Sequence, residues 1–404
     1  MVHDEDFQKW FEKEVMPKII ENLELNVDKV RCELSKSEER LMTILYFVLL
    51  QFENKTKGQN EELSIVLKRP VQGHMGEYTI RDDAQFHNEI LFYQTYARPN
   101  ENYVRCIYTD ERPPYDSVIA LEDVTPRGYR PCPHRYHAPL EYALAVVREM
   151  GRFHGKGYAM KELQPEKFFD IVSRLQEVRF LKTSTNIYET VFNIKSPRAV
   201  EYLRRLGHDT VFCDKMEAVL SKAFDEVMMK TVEPLEPLST LCHGDFTLDN
   251  CLFKTDDQGQ FRAMPIDFAL FRYSTPVVDL STYLLLNCSN ELRKDKFFEI
   301  MRAYHDELKK YLLEVGVWNI EKYSYEAILN DYKRGGLYGF VLATTFMPIL
   351  MGFHNPDTYR ENVTRIGVAK YSKQRKYAGG EEMCKLLADM LLHLRDLGCL
   401  QHIL

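Results

Sequence analysis

The sequence predicts an α+β protein with two lobes, a small β-rich N-terminal lobe and a large helical C-terminal lobe. Three observations support this fold class. Strand-like stretches fill much of the chain before residue 124, helical periodicity dominates after residue 140, and a short β island interrupts the helical part near residue 250. We therefore predict two domains, residues 1–124 and residues 125–404.

The N-terminal lobe is predicted from alternating strand and helix signals. The stretch LMTILYFVLLQFE is rich in apolar and β-branched residues, and the polar loop NKTKGQNEE separates it from LSIVLKRP. Apolar residues at helical spacing mark two helices. The predicted elements are a helix at 4–24, strands at about 28–34, 41–53 and 62–69, a helix at 83–96, and strands at 103–108 and 117–121.

The C-terminal lobe is predicted to be helical apart from one island. The island contains LCHGDFTLDNCLFK, a DDQG turn and FRAMPIDFALF, a pattern typical of strand, loop, strand, turn and strand. The stretch TPRGYRPCPHRYHAP before it is predicted to be a loop. The predicted helices cover 142–154, 165–177, 197–206, 213–230, 294–315, 325–346 and 381–397.

Composition limits the classes of partner. The 404 residues are 45% hydrophobic and 28% charged, enough to bury a sizeable core. A net charge of −7 gives no electrostatic basis for binding nucleic acid or an anionic membrane. The longest apolar run, at 41–52, is too short for membrane insertion. Nine scattered cysteines without a disulfide-like spacing, together with an acidic N-terminus, predict a cytoplasmic location, and no feature indicates an oligomeric state.

The island carries the set of residues that phosphoryl transfer needs. Asp245 follows His243 and Gly244, Asn250 lies five positions after Asp245, and Asp267 lies twenty-two positions after it. In such chemistry one carboxylate orients the attacking hydroxyl, while an amide oxygen and a second carboxylate hold Mg²⁺ on the nucleotide phosphates. We predict Asp245 as the catalytic residue and Asn250 and Asp267 as the metal ligands. The alternative is a surface turn followed by a buried structural aspartate.

Two residues of the N-terminal lobe complete this set. Lys68 ends an apolar strand, and Glu89 lies twenty-one positions later on a predicted helix. A lysine held by a helix glutamate positions the α- and β-phosphates in kinases. We predict that both residues belong to the ATP-binding site. Taken singly, each residue could equally be a solvated surface charge.

The end of the last strand of this lobe is a candidate for adenine binding. An apolar strand runs into Glu122, Asp123 and Val124 at the predicted lobe boundary. A hinge at this place would present backbone groups to adenine, so we predict Glu122 and Val124 as nucleotide-binding residues. The alternative is a plain strand end.

Three other patterns look functional but have simpler explanations. Cys132, His134 and His137 lie within six positions, yet no fourth ligand follows at the spacing of a zinc site. The glycines of GRFHGKG, at 151–157, follow a helix and not a strand, so a C-cap or a packing role is favoured over phosphate binding. His154, inside this motif, is predicted to be a core or capping residue.

These motifs together resemble the aminoglycoside/choline kinase-like phosphotransferases, and within them the ecdysteroid kinase-like (CHK kinase-like) proteins. The resemblance spans roughly residues 60–350. The segments that carry the resemblance are FHNEILFY (86–93), LEDVTPRGY (121–129), REMGRFHGKGYA (148–159), LCHGDFTLDNCLF (241–253) and IDFALFRYSTPVVDLSTYL (266–284). Within the last of them, RYSTPVVDL is rather specific to this group.

The resemblance implies a bilobal protein-kinase-like fold and a phosphotransferase with an alcohol group as acceptor. It implies ATP and Mg²⁺ as cofactors and a small-molecule hydroxyl as acceptor, on an ecdysteroid or another apolar alcohol. It assigns Asp245 as the base, Asn250 and Asp267 as metal ligands, and Lys68 and Glu89 as an ion pair. Asp279, in the tail of the last motif, is expected to brace the catalytic loop.

One segment departs from the family pattern. Such kinases usually carry glycine between their first two strands, whereas RCELSKSEERLMTIL, at 31–45, contains none. Glycine allows backbone N–H groups to approach phosphate closely. Ser35, Lys36 and Ser37 could replace it only loosely. The alternative function is therefore a catalytically weak or inactive kinase-fold binding protein. A protein kinase is disfavoured because HRD-type and APE-type segments are missing.

Overall fold

The computed structural model describes residues 7–25, 27–39, 43–71, 81–98, 101–355 and 358–404. They belong to two compact units, an N-terminal unit drawn from residues 1–73 and 82–129 and a C-terminal unit drawn from residues 74–81 and 130–404. The first is built around a β-sheet and the second is mostly helical, which confirms the predicted α+β class. The proposed domain boundary after residue 124 stays a prediction.

An antiparallel five-stranded sheet forms the N-terminal unit in the described ranges. The strand order is β1-β2-β3-β5-β4. Side chains of β2 and β3 alternate between buried and more exposed positions, as expected for a sheet with one covered face. The strands are β1 (Val27–Glu39), β2 (Thr43–Asn54), β3 (Gln59–Pro70), β4 (Cys106–Asp110) and β5 (Val118–Glu122).

Helical segments flank this sheet within the N-terminal unit. Phe11, Val15 and Ile19 recur at helical spacing, are buried, and share a core with residues of β2 and β3. Phe7 stacks on Tyr46 of β2 with ring centroids 3.8 Å apart. The segments are the π-helical Phe11–Val15, the α-helices Met16–Asn22 and Asp82–Leu91, and the π-helical Phe92–Tyr96.

The C-terminal unit is a helical assembly with a large apolar core. Its two long helices, Leu140–Leu163 and Asn290–Glu314, pack closely at Gly151. A Cβ at this position would lie 2.5 Å from the Tyr304 carbonyl oxygen, so the close approach requires glycine. The α-helices are Leu140–Leu163, Pro165–Arg174, Ile187–Lys195, Arg198–Arg205, Thr210–Leu220, Lys230–Val232, Val277–Asn287, Asn290–Glu314, Ile320–Tyr323, Tyr325–Gly335, Leu337–Leu350, Tyr359–Ile366, Val368–Arg375 and Gly380–Asp396, with a π-helical segment at Phe224–Met229.

Short strands interrupt these helices and carry the candidate site. Strand β7 (Thr240–Cys242) pairs with β10 (Arg272–Ser274). Strands β8 (Cys251–Thr255) and β9 (Phe261–Pro265) form the hairpin predicted around the DDQG turn, and β6 (Arg130–Pro131) pairs with β8. Because Cys242 pairs with Arg272 and Cys251 pairs with Pro265, the loop between β7 and β8 and the loop between β9 and β10 each begin beside the end of the other.

Several elements differ from the sequence prediction. Strand β1 continues to Glu39, so most of the presumed first loop is strand; residues 40–42 and the side chains of residues 35–37 lie outside the described part. The predicted helix at 325–346 is divided at Gly335 and Gly336. GRFHGKG lies inside a helix, so the packing interpretation is confirmed and the C-cap interpretation is wrong. The prediction missed β6, which lies in the predicted loop TPRGYRPCPHRYHAP, as well as β10 and the helices at 187–195, 277–287, 320–323, 359–366 and 368–375.

None of the helices in the described ranges combines the length and the apolar character that crossing a membrane requires.

Candidate active site

Asp245 lies on a loop that begins at the end of β7. His243 and Gly244 are fully buried, while the Asp245 side chain keeps a relative exposure of 33%. The chain then forms a single 3₁₀ turn, Leu248–Asn250, before β8. The loop therefore begins with buried residues and leaves the Asp245 carboxylate partly exposed, which differs from the alternative of a plain surface turn.

Asp279 holds this loop from the first turn of the Val277–Asn287 helix. Its Oδ2 accepts a hydrogen bond from the His243 N–H at 2.8 Å, and its Oδ1 accepts one from the Gly244 N–H at 2.8 Å. Nε2 of the buried His154 lies 2.9 Å from Oδ2. The carboxylate thus satisfies two backbone donors of the loop of Asp245 at once, which confirms the bracing role expected for Asp279 and the core role expected for His154.

The charge of Asp279 is stabilised although the residue is fully buried. Burial alone would raise the pKa of its carboxyl group. The hydrogen bond and charge of His154, together with the Gly244 N–H, outweigh burial and lower the pKa below its usual value. Nδ1 of His154 in turn lies 2.8 Å from the Tyr304 hydroxyl, so the network continues into the helical core.

His243 connects the loop of Asp245 with the loop of Asp267. Its Nδ1 accepts from the Asp245 N–H at 3.3 Å, so Nε2 carries the proton and donates to the Ile266 carbonyl at 2.9 Å. The ring is packed against Phe268, with centroids 4.7 Å apart. The sequence motif includes this histidine, but sequence reasoning assigned it no role.

Gly244 adopts a conformation that only glycine tolerates at this place. Its φ is +84°, and a Cβ would lie 2.0 Å from the Leu270 carbonyl oxygen. We expect Gly244→Ala to lower the free energy of unfolding by about 2–5 kcal/mol, the sum of the left-handed conformation and the steric overlap. The measurement is denaturant unfolding followed by circular dichroism.

Gly259 offers a matched control for this substitution. It has φ +77°, and nothing lies within 4 Å of its ideal Cβ position. Gly259→Ala should therefore show only the conformational cost of about 1–2 kcal/mol. Equal losses in the two variants would mean that the contact with Leu270 does not constrain the loop.

Asn250 turns its side chain toward Asp245. Its Nδ2 donates to the Asp245 carbonyl at 2.9 Å and lies 3.3 Å from Oδ2. The backbone continues this connection, because the Ile266 N–H donates to the Asn250 carbonyl at 2.9 Å. Since the amide nitrogen is used inside the protein, the amide oxygen is the atom that Asn250 can offer to a hard cation such as Mg²⁺.

Asp267 directly follows Ile266 and has an unusual backbone conformation. Its φ is +66°, one of three positive values found for non-glycine residues in the described ranges. This conformation costs an L-amino acid about 1–2 kcal/mol, and such strain is concentrated at functional sites. The hairpin thus places the backbone of Asn250 next to the residue that precedes Asp267, as the sequence predicted.

Arg179 is the charged neighbour of Asp245 that sequence reasoning missed. Its Nη1 lies 3.6 Å from the Asp245 Oδ1, and only 12% of its side chain is exposed. Burial disfavours the charged form, but Asp245 and the hydrogen bond to Tyr188 raise the pKa of Arg179 above its usual value. No sequence signal identifies this residue, because it lies in an irregular segment sixty-six positions before Asp245.

Lys68 and Glu89 form the predicted ion pair within the N-terminal unit. Lys68 lies on β3 in the middle of the sheet, between β2 and β5, and Glu89 lies on the Asp82–Leu91 helix. Lys68 Nζ and Glu89 Oε2 are 2.5 Å apart, with side-chain exposures of 9% and 2%. The alternative of two solvated surface charges is therefore wrong, and the nucleotide-binding role stays a prediction.

The segment predicted as a hinge is tied to the same sheet. The N–H groups of Glu122 and Asp123 donate to the carbonyls of Arg105 and Ser64, at 2.9 and 3.0 Å. The Val124 side chain is buried, and its carbonyl accepts from Arg127 at 3.0 Å. The strand end is thus rigid, and its contact with adenine stays a prediction.

The sequence matches a protein-family model over most of its length. Residues 37–317, well over half of the chain, match the model of the ecdysteroid kinase-like family. The chain belongs to the ecdysteroid kinase-like family. This ecdysteroid kinase-like protein is accordingly a member of a family of small-molecule phosphotransferases that act on hydroxyl groups. The matched range contains every residue of the candidate site. No curated protein matches the chain in sequence.

Solved structures with a similar chain course are aminoglycoside phosphotransferases. Aminoglycoside 2'-phosphotransferase-IIIa in its GDP complex has 13% identity and a TM-score of 0.38, covering 89% of this chain and 98% of its own. The GDP and kanamycin complex of an APH(2")-type enzyme has 14% identity and a TM-score of 0.41, with the same coverage. Aminoglycoside-3'-phosphotransferase of type VIII has 13% identity and a TM-score of 0.34, covering 78% of this chain and 98% of its own. At such values the likeness says nothing about the substrate of the ecdysteroid kinase-like protein.

Proposed function

We propose that this protein is an ATP- and Mg²⁺-dependent kinase that transfers the γ-phosphoryl group to a hydroxyl of an ecdysteroid or another apolar alcohol. The observation that carries the proposal is the convergence of Asp245, Asn250 and Asp267 on two connected loops. Asp279 holds the first loop, and His243 joins it to the second. Family membership supports the reaction class.

Asp245 is the residue that acts on the acceptor. Its carboxylate orients the acceptor hydroxyl and takes its proton as the oxygen attacks the γ-phosphorus. The bond from the γ-phosphorus to the bridging oxygen breaks, and ADP leaves. The relative exposure of 33% fits a group that must contact a substrate while its loop stays fixed.

Asn250 and Asp267 are proposed as the ligands of Mg²⁺. An amide oxygen and a carboxylate are suitable donors for this hard cation, and the amide nitrogen of Asn250 is already bound to the Asp245 carbonyl. When bound, the metal would neutralise charge on the nucleotide phosphates. The conformation of Asp267, with φ +66°, is explained if the carboxylate must point at such a ligand.

Residues of the N-terminal unit are proposed to bind the nucleotide. Lys68 would contact the α- and β-phosphates, and Glu89 would keep the lysine charged and oriented in its buried position. Glu122 and Val124 would contact adenine through backbone groups. A cytoplasmic location and the lack of a nucleic-acid partner remain predictions from composition.

A second candidate function is a kinase-fold binding protein with little or no catalysis. The observation behind it is the glycine-free segment around residues 35–39, which belongs to strand β1 and pairs with β2 after a register shift between Leu34 and Lys36, and is not an open loop. Such a strand offers fewer free backbone N–H groups to phosphates than a glycine loop does.

Nucleotide binding distinguishes these two functions. We expect Mg²⁺ with ATP to raise the melting temperature of the wild type, because a ligand that binds only the folded state stabilises it. Asp267→Ala should lose the Mg²⁺-dependent part of this shift. Asp257→Ala, at an exposed position of the DDQG turn, serves as the control and should keep it. A wild type without any shift would favour the inactive binding protein.

The acceptor is to be found by an untargeted screen. The purified protein is incubated with Mg²⁺, ATP and extracts of small molecules, and phosphorylated products are identified by mass spectrometry. The proposed function requires a product that depends on both the protein and ATP.

A further inference from the structure

Lys195 is a buried lysine at the end of the Ile187–Lys195 helix. Only 8% of the residue is exposed, and no hydrogen bond or ion pair joins its amine to another residue in the described part of the chain. Burial, followed by the charge of Arg198, lowers the pKa of Lys195 to about 8, so the amine is still mostly charged at neutral pH. A buried cation without a counter-ion is unfavourable, and this lysine therefore indicates an anion that the described chain does not supply.

The next helix begins three positions after this lysine with a buried N-terminus. Pro197 precedes the Arg198–Arg205 helix, and no described side chain caps its first turn. Arg198, Ala199 and Val200 of that turn are at most 1% exposed, so water has little access to it. The N–H groups at the start of a helix have no acceptor within the helix, and their partial positive charge attracts anions. This helix start therefore adds hydrogen-bond donors next to the cation.

Arg198 brings a second charge that no described carboxylate balances. Both of its Nη atoms donate to the Ala378 carbonyl at 3.1 Å, which is a neutral acceptor, and its buried Nε has no acceptor among the described residues. Glu201 lies one turn further along the same helix. Its carboxylate pairs with Lys376 and accepts from the Tyr377 hydroxyl, each at 2.5 Å, so its charge is compensated there.

His354 is a third basic group at this place. It is buried, and its Nε2 lies 3.1 Å from the hydroxyl of Tyr371, whose helix packs against the helix of Lys195. Burial, followed by the charges of Lys195 and Arg375, lowers the pKa of His354 to about 4, so its ring is neutral at neutral pH. We call Lys195, Arg198 and His354 the Lys195 cluster.

A simpler explanation accounts for only part of this cluster. Lys195 lies in the last turn of its helix, where the free carbonyl groups stabilise a cation. Arg198 has no such explanation, because it lies in the first turn of the following helix, where the N–H groups repel a cation. The two cations therefore stay uncompensated by the described residues at the junction of these helices.

We propose that the Lys195 cluster is a binding site for a phosphate group, at the start of the Arg198–Arg205 helix. The oxygens of a phosphate group can accept from the Lys195 amine, from Nε of Arg198 and from the helix N–H groups at once. Its two negative charges balance two cations, whereas a carboxylate balances only one. The site uses none of the residues assigned to phosphoryl transfer, and the phosphate belongs either to the free ion or to an ester.

The test measures binding of two probes, inorganic phosphate and phenyl phosphate, to the full-length protein. Nucleotide and Mg²⁺ are left out, and chloride keeps the ionic strength constant. Binding is followed by the NMR signal of the His354 ring, which His354→Gln assigns. We expect bound phosphate to raise the pKa of His354 by about one pH unit or more, because a nearby negative charge favours the protonated ring. This readout reports on the Lys195 cluster and not on a phosphate bound elsewhere.

Substitution of the lysine assigns the binding to this cluster. Lys195→Met should weaken phosphate binding about tenfold or more, the effect of one charge-assisted hydrogen bond. Without phosphate its melting temperature should be no lower than that of the wild type, because an apolar chain replaces a buried uncompensated charge. Lys195→Arg keeps the charge and should recover part of the binding. Lys182→Met, at an exposed lysine, is the control and should bind like the wild type.

The two probes also identify the source of the phosphate group. Binding of phenyl phosphate assigns the site to a phosphate ester, and binding of inorganic phosphate alone assigns it to the free ion. Three results would overturn the proposal. They are no binding of either probe by the wild type, undiminished binding by Lys195→Met, and a pKa of His354 that saturating phosphate leaves unchanged.

Discussion

Asp245→Asn is expected to reduce phosphoryl transfer by about 10²–10⁴-fold, the contribution typical of a general base. The amide has nearly the same shape as the carboxylate but cannot take the proton of the acceptor hydroxyl. The amide oxygen can still face Arg179, and the N–H groups of His243 and Gly244 keep their hydrogen bonds to Asp279. The fold should therefore be retained. The measurement is the rate of product formation with γ-labelled ATP and the acceptor identified by the screen.

The control for this variant is the neighbouring carboxylate. Asp249 lies in the same 3₁₀ turn, but its side chain is exposed. Asp249→Asn should keep the wild-type rate, and both variants should keep the thermal shift with Mg²⁺ and ATP. Undiminished product formation by Asp245→Asn would show that the proposed base is not part of the mechanism.

Asp279→Asn is expected to cause the largest loss of stability, about 3–5 kcal/mol, as found when one partner of a buried charged pair is removed. Oδ1 and Oδ2 of Asp279 each accept from a backbone N–H, and Oδ2 also faces His154. The amide of asparagine would place its own N–H donor opposite the backbone N–H of His243 or of Gly244, and that hydrogen bond would be lost. Urea unfolding of wild type and variant gives the difference in free energy.

Acid also tests the role of Asp279. Its folded pKa is lowered, so its contribution to stability is fully present above the unfolded pKa of about 3.9 and is lost as the pH falls through the lower, folded pKa. The wild type should therefore lose stability more steeply below pH 4 than Asp279→Asn does. Asp257→Asn, at an exposed position, should follow the wild-type profile. Parallel profiles for wild type and Asp279→Asn would argue against a stabilised Asp279 carboxylate.

Features close together in the chain were predictable from the sequence. The β8–β9 hairpin spans only residues 251–265, so a turn signal and two strand signals were enough to place Asn250 beside the segment of Asp267. Lys68 and Glu89 were also predicted, because a strand lysine followed by a helix glutamate upstream of the Asp245 motif fits the order of these residues in kinases.

Features that depend on packing were missed or misjudged. The Val277–Asn287 helix is buried along its whole length, so its sequence lacks the one-sided periodicity by which helices are recognised. Strand β1 was cut short at residue 34 because polar and charged residues follow, yet pairing with β2 continues to Glu39. Hydrogen bonds to a neighbouring strand override weak local preference.

By itself, the sequence determined the α+β class, the Asp245–Asn250–Asp267 pattern proposed as the catalytic centre and the buried lysine–glutamate pair, because residue type and short-range spacing encode them. Only the tertiary structure decided which groups surround Asp245. Arg179 lies in an irregular segment sixty-six positions earlier. Its position beside Asp245 depends on contacts of that segment with the rest of the helical unit, such as the ion pair of Glu177 with Arg272 on β10, and no periodicity in a single chain reports such long-range contacts.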